Sequence, residues 1–252
     1  MRAETDGVTQ VARGVLRLHK AGVNCYLIHA ADGITLIDAG LPGMWPLLEQ
    51  ALESVRALPA DISAVVLTHG HFDHVGMASR LTGEHGARVK VHPADQRLAR
   101  HPYRYAHEDP RWPYLLRYPG SLPLFVRIAA AGALRVSGVD AEPVVVPGEA
   151  VDVPGHPVAV ASPGHTAGHC GFFLPDAGVL FTGDALVTLD PYSGRTGPRL
   201  VARAATADVA ENRRSLAALA DTDARLVLPG HGAPFDRGIR WAVATAIVEP
   251  VA

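Results

Sequence analysis

Short apolar runs alternate along this chain with polar breaks marked by glycine and proline. Residues 14–18, 25–29 and 34–37 read as strands, with Asp32-Gly33 as a hairpin turn. Apolar positions 47, 48, 51, 52 and 55 recur at helical spacing and predict a helix over 45–58. A buried strand over 64–67, a helix over 74–81 and a strand over 88–91 follow. Residues 93–135 read as helix and loop, broken by Pro102, Pro110, Pro113, Pro119 and Pro123. Strands are then expected at 144–146, 151–153, 158–161, 170–174 and 179–182. A helix over 206–219, a strand over 225–228 and a helix over 238–248 complete the pattern. Two successive blocks of strands and helices predict two sheets covered by helices.

Composition narrows the class. The 252 residues are 48% hydrophobic and carry a formal net charge of −2, which fits a globular chain and argues against disorder and against long nucleic acid. Cys25 and Cys170 form no CxxC pair, which excludes a thiolate zinc finger and a disulfide scaffold. Residues 1–6 contain no apolar run, and stretches such as 241–248 are too short to span a bilayer. The expectation is a cytoplasmic protein without a membrane partner. The charge is unevenly placed. Residues 96–136 hold seven arginines and two acids, a formal +5, which leaves −7 on the rest. Six of the 15 aromatic residues lie in the same segment.

The chain has 13 histidines, and neutral imidazole is the commonest metal ligand. Thr68-His69-Gly70-His71-Phe72-Asp73-His74 follows directly on an apolar strand. In extended chain His69 and His71 share a face and can reach one ion. Asp73 and His74, expected at the start of the next helix, can turn towards a second position. Three further strands each end in glycine and a candidate ligand: Ser162-Pro163-Gly164-His165, Gly183-Asp184 and Pro229-Gly230-His231. The turn Pro175-Asp176-Ala177-Gly178 folds a hairpin that brings 165–169 to the same end as Asp184. Five histidines and two aspartates offer only nitrogen and oxygen, which suits zinc, iron or manganese. Two ions sharing Asp184 would use all seven and keep a position open for water.

The motifs HGHFDH at 69–74, SPGHTAGH at 162–169, FTGD at 181–184 and PGHG at 229–232 resemble those of the metallo-β-lactamase superfamily, in order and spacing. The resemblance implies one α/β domain over 1–252, a four-layer αββα sandwich with the site at one edge of its sheets and 96–136 as a helical insert. It implies that His69, His71 and His165 bind a first divalent ion, that Asp73, His74 and His231 bind a second, and that Asp184 bridges them. Asp38, in Ile37-Asp38-Ala39-Gly40, would support the ligands, as would His169. The other seven histidines (19, 29, 85, 92, 101, 107 and 156) match no motif and read as surface or loop residues.

A dinuclear site of this kind, with zinc as first choice, supplies hydroxide near neutral pH and polarises a carbonyl or phosphoryl oxygen. Asp73 is the candidate to orient that hydroxide and carry a proton to the leaving group. No G-x-S-x-G elbow competes for the nucleophile's role. The expected activity is hydrolysis of an ester, thioester or lactone. A phosphodiesterase or nuclease of the same fold and a mononuclear iron persulfide dioxygenase are the alternatives. Asp184 argues against the β-lactamase branches, which generally lack the bridging aspartate. The insert, with Tyr103, Arg104 and Trp112, could fold over the metals as a lid for a small, anionic substrate, pack as a structural element, or form a homodimer contact. The loop 188–200, with Tyr192 and Arg199, would be the opposite wall.

Overall fold

A computed structural model describes residues 5–252. Much of the segment read for a secretory signal, residues 1–4, lies outside them. A six-stranded sheet holds β1 (Gly7–Ala12), β2 (Val15–Lys20), β3 (Val23–Ala30), β4 (Gly33–Ile37), β5 (Ile62–Val66) and β6 (Arg88–Lys90) in sequential order. Its first four strands are antiparallel, and β4, β5 and β6 are parallel. A four-stranded sheet has the order β12 (Leu226–Pro229), β9 (Val179–Gly183), β8 (Cys170–Leu174), β7 (Val158–Ala161).

The alternation along each strand sets the layers. Val15, Tyr26, Ile28, Ile37, Ala64 and Val66 meet Ala159, Phe172, Val179, Phe181 and Leu228 between the sheets. Their neighbours Leu16, Leu27, Leu36 and Val65 point the other way, onto α1 (Trp45–Ser54) and α2 (Ala78–His85). Leu180 and Val227 face α6 (Val209–Ala220) and α7 (Ile239–Val248). Strands buried on both faces need apolar residues at successive positions, which is why they read as runs. The result is the αββα sandwich.

Several boundaries differ from the sequence reading. The first helix stops at Ser54, because the chain turns at Arg56 with φ of +57°. The second starts at Ala78, so Asp73 and His74 are not helical. Their segment is bound to the one after β4 by Ala39 N–H to His74 O, Gly76 N–H to Gly40 O and Met77 N–H to Ala39 O. Residues 144–146 and 151–153 form no strands. Val145, Val151 and Val153 fill the inter-sheet core from a loop whose backbone pairs with the sheets only at isolated bridges, Lys90 with Glu142 and Ala150 with Val158. The loop over 188–200 contains a small hairpin, β10 (Val187–Leu189) and β11 (Thr196–Arg199). Strand β1 lacked a signal because it is an edge strand, only partly buried.

The insert is helical, with α3 (Gln96–Arg100), α4 (Trp112–Arg117) and α5 (Leu122–Ile128). No helix among the described residues is long and apolar enough to cross a membrane.

Candidate metal centre

Strands β7, β9 and β12 run in one direction, so their C-terminal ends lie at one edge of the smaller sheet. The loop after β5 reaches the same edge, where Cys170 N–H donates to Thr68 O across the sandwich. These four ends carry the seven candidate ligands, and all seven are buried. They form three overlapping groups, His69–His71–His165, His69–His74–Asp184 and Asp73–His74–His231, each with its ligand atoms within 4.8 Å of one another. Asp184 lies between them. Its carboxylate is 3.2 Å from His231 Nε2, 3.5 Å from His74 Nε2 and 3.6 Å from His165 Nε2.

Close packing requires glycine at Gly230, where a Cβ would sit 2.2 Å from the Asp184 carboxylate. Gly164 is as constrained. Its φ is +122°, and a Cβ would meet the backbone nitrogen of Asn212 at 2.1 Å. Gly164→Ala should therefore cost about 3 kcal/mol or more from backbone strain and overpacking. A fall in Tm of roughly 6–12 °C follows for a chain of this size, measurable by calorimetry.

The electrostatics divide the histidines. Burial and the neighbouring imidazoles hold His69 and His71 well below the usual histidine pKa. Burial also lowers His165, to about 4. All three are neutral and offer lone pairs. Burial would lower His74 and His231 too, but it is outweighed. Asp184 and Asp38 raise His74 well above its usual value, and Asp184 and Asp73 raise His231 to about 10. Burial opposes ionisation of Asp184, yet His231 and His74 hold it well below the carboxylate range. The anionic side of the cluster thus favours positive charge.

A metal ion fits this arrangement. His69 Nε2, His74 Nε2 and Asp184 Oδ1 are buried without a hydrogen-bond partner. His71 Nδ1 and His165 Nε2 lie 3.0 Å apart. Orphaned buried polar atoms are costly, and a shared cation relieves them.

The supports sit behind the ligands. Asp38, at φ of +59°, accepts from Thr68 N–H and Thr68 Oγ1 and pairs with His74 Nδ1, each at 2.8 Å. His169 Nε2 accepts from the amides of Asp184 and Ala185, and its Nδ1 contacts Ser162 Oγ. Asp95 had no sequence signal. Its buried carboxylate accepts from Gly70 N–H, Gly168 N–H and Thr166 Oγ1, which ties the two loops bearing His69, His71 and His165 together. Asp95→Asn should weaken metal binding about 10- to 100-fold with the fold retained, as read by chelator competition. His19, read as a surface or loop residue, is buried against Arg17 and Asn24. Asn24 also donates to Pro229 O and Gly232 O on either side of His231.

The expected substrate residues separate. Tyr192 lies in an aromatic group with Tyr114 and Phe125 and is hydrogen-bonded to Tyr105. Tyr105, which the sequence did not single out, packs its ring 3.9 Å from that of His71, under the Arg111 guanidinium. Arg104 is exposed and lines a cavity that reaches His165. Tyr103 instead has an architectural place. Its hydroxyl bonds Ala133 O and Val136 N–H, and its ring stacks on Phe72. Trp112 is 69% exposed. Arg199 is buried, with its guanidinium on Thr196 O, Gly197 O and Glu249, so the structure turns it onto its own hairpin rather than into a substrate wall.

The family model described as the metallo-beta-lactamase superfamily matches residues 20–231. The probable metallo-hydrolase YflN of Bacillus subtilis is 26% identical, over 90% of this chain and 86% of that protein. A hydroxyacylglutathione hydrolase of Cereibacter sphaeroides is 30% identical over 65% of this chain, which matches only 48% of that protein. Among solved structures, a metallo-beta-lactamase family protein of Thermus thermophilus superposes with a TM-score of 0.66 and 28% identity, covering 94% of this chain and 79% of that one.

Proposed function

The chain belongs to the metallo-β-lactamase superfamily, and from that premise we propose that it is a dinuclear metal-dependent hydrolase of an ester, thioester or lactone. The observation that carries the reading is the set of three overlapping His/Asp groups with orphaned ligand atoms at one sheet edge. His69, His71 and His165 would hold one ion, Asp73, His74 and His231 the other, with Asp184 shared. Zinc is the first choice, and iron or manganese suits the same nitrogen and oxygen donors. Bound divalent ions polarise the scissile carbonyl and make water a nucleophile at neutral pH.

The chain's own residues do the rest. Asp38 fixes His74 through Nδ1, which leaves Nε2 for coordination. Asp73 is the most exposed carboxylate of the cluster, at 9%. That position suits it to take a proton from attacking water and pass it to the leaving oxygen or sulfur. Tyr105, from the insert 96–136, and Tyr192, from the loop 188–200, would form the two walls of the approach beside His71. The relative named hydroxyacylglutathione hydrolase supports an acyl substrate.

The test is turnover by zinc-, iron- and manganese-loaded protein on lactone, thioester, carboxylic ester, phosphodiester, β-lactam and persulfide substrates. Ester, thioester or lactone hydrolysis is the expected result. Phosphodiester turnover alone, or oxygen consumption with persulfide by a one-iron protein, would replace this reading.

A further inference from the structure

A cavity of about 360 Å³ opens between α3, the segment after it and the loop bearing His165. Its walls include His165 and Tyr105, so it reaches one candidate ligand and the ring that packs on another. Arg97, His101 and Arg104 line the same space and are exposed. Of the insert's five other arginines, Arg135 does not line the cavity and four are differently engaged. Arg100 pairs with Asp140, Arg127 pairs with Asp6, and Arg111 and Arg117 lie over tyrosine rings. Arg97 and Arg104 form no ion pair among the described residues. The one carboxylate in the cavity wall, Asp95, is 1% exposed and held by three donors. Two unpaired guanidiniums therefore flank an opening without a competing exposed acid.

We propose that this cavity is a subsite for an oxyanion on the substrate, carboxylate or phosphate, held by Arg97 and Arg104 while the scissile group lies at the metal cluster. The proposal rests on the hydrolytic reading above and adds the substrate's charge. Guanidinium presents a fork of donors that matches either oxyanion. The volume suits a short acidic arm rather than a long chain.

The experiment compares para-nitrophenyl esters of equal chain length ending in a methyl group, a carboxylate or a phosphonate. Wild type and Arg97→Gln/Arg104→Gln are assayed alongside calorimetric titration with glutarate and propylphosphonate. Both positions are exposed, so the variant should fold normally. The wild type should favour an anionic tail roughly tenfold in kcat/KM, less at high salt. The variant should lose that preference and bind the free anions about tenfold more weakly, with the methyl-tailed ester unaffected. Whichever anion is preferred identifies the oxyanion. No preference in wild type, or one that survives in the variant, overturns the subsite and leaves the hydrolase reading intact. Arginine-dependent binding of glutarate or propylphosphonate without turnover of any ester sustains the subsite and counts against hydrolysis.

Discussion

His71→Ala should remove metal and hydrolysis together, with kcat/KM down about a thousandfold or more. His71 offers its lone pair at the junction of two ligand loops, with His165 Nε2 3.0 Å from its Nδ1. Burial and like imidazoles keep it neutral, the state a metal requires. Alanine leaves His69 and His165 as an incomplete set for the first ion. The fold should survive, because His71 belongs to no sheet and to none of the apolar clusters that pack the layers. Elemental analysis and steady-state kinetics on the same preparation read both losses. A metal-free variant with full activity would exclude the assignment.

Chelation should lower Tm by roughly 8–16 °C. A ligand present at about a thousand times its Kd stabilises by about 4 kcal/mol, and each kcal/mol moves Tm by about 2–4 °C in a chain this long. The physical cause is visible in the cluster. Seven ionisable side chains are buried together, and four of their nitrogen and oxygen atoms, His69 Nε2, His71 Nε2, His74 Nε2 and Asp184 Oδ1, have no hydrogen-bond partner. Without an ion, stability depends on protons that His74 and His231 retain against burial. Differential scanning calorimetry before and after EDTA, with zinc restored, measures the shift. Identical curves would mean that the cluster holds no ion tightly.

The parts of this molecule differed in how plainly they could be read. Strands such as β5 and β9 are buried on both faces, so unbroken apolar sequence marked them. The candidate ligands were legible because each sits close beyond such a strand. The turn at 175–178 correctly joined β8 to β9 and brought His169 to the Asp184 amide. Residues 144–153 misled because valines that plug a core from a loop look like valines in a strand. Asp95 and Tyr105 could not be found by spacing. Asp95 acts on residues 25 and more positions away, and Tyr105 meets His71 only when the insert folds back. Arg199 shows the converse, since a cation in a promising loop is occupied by that loop's own carbonyls.

The most direct measurement is the metal content of freshly purified protein by inductively coupled plasma mass spectrometry, per chain and matched to activity. The expected result is about two divalent ions per chain, with hydrolysis lost and restored as they are removed and returned. A protein that is active with no bound ion, or that holds a single iron and consumes oxygen, would contradict the account.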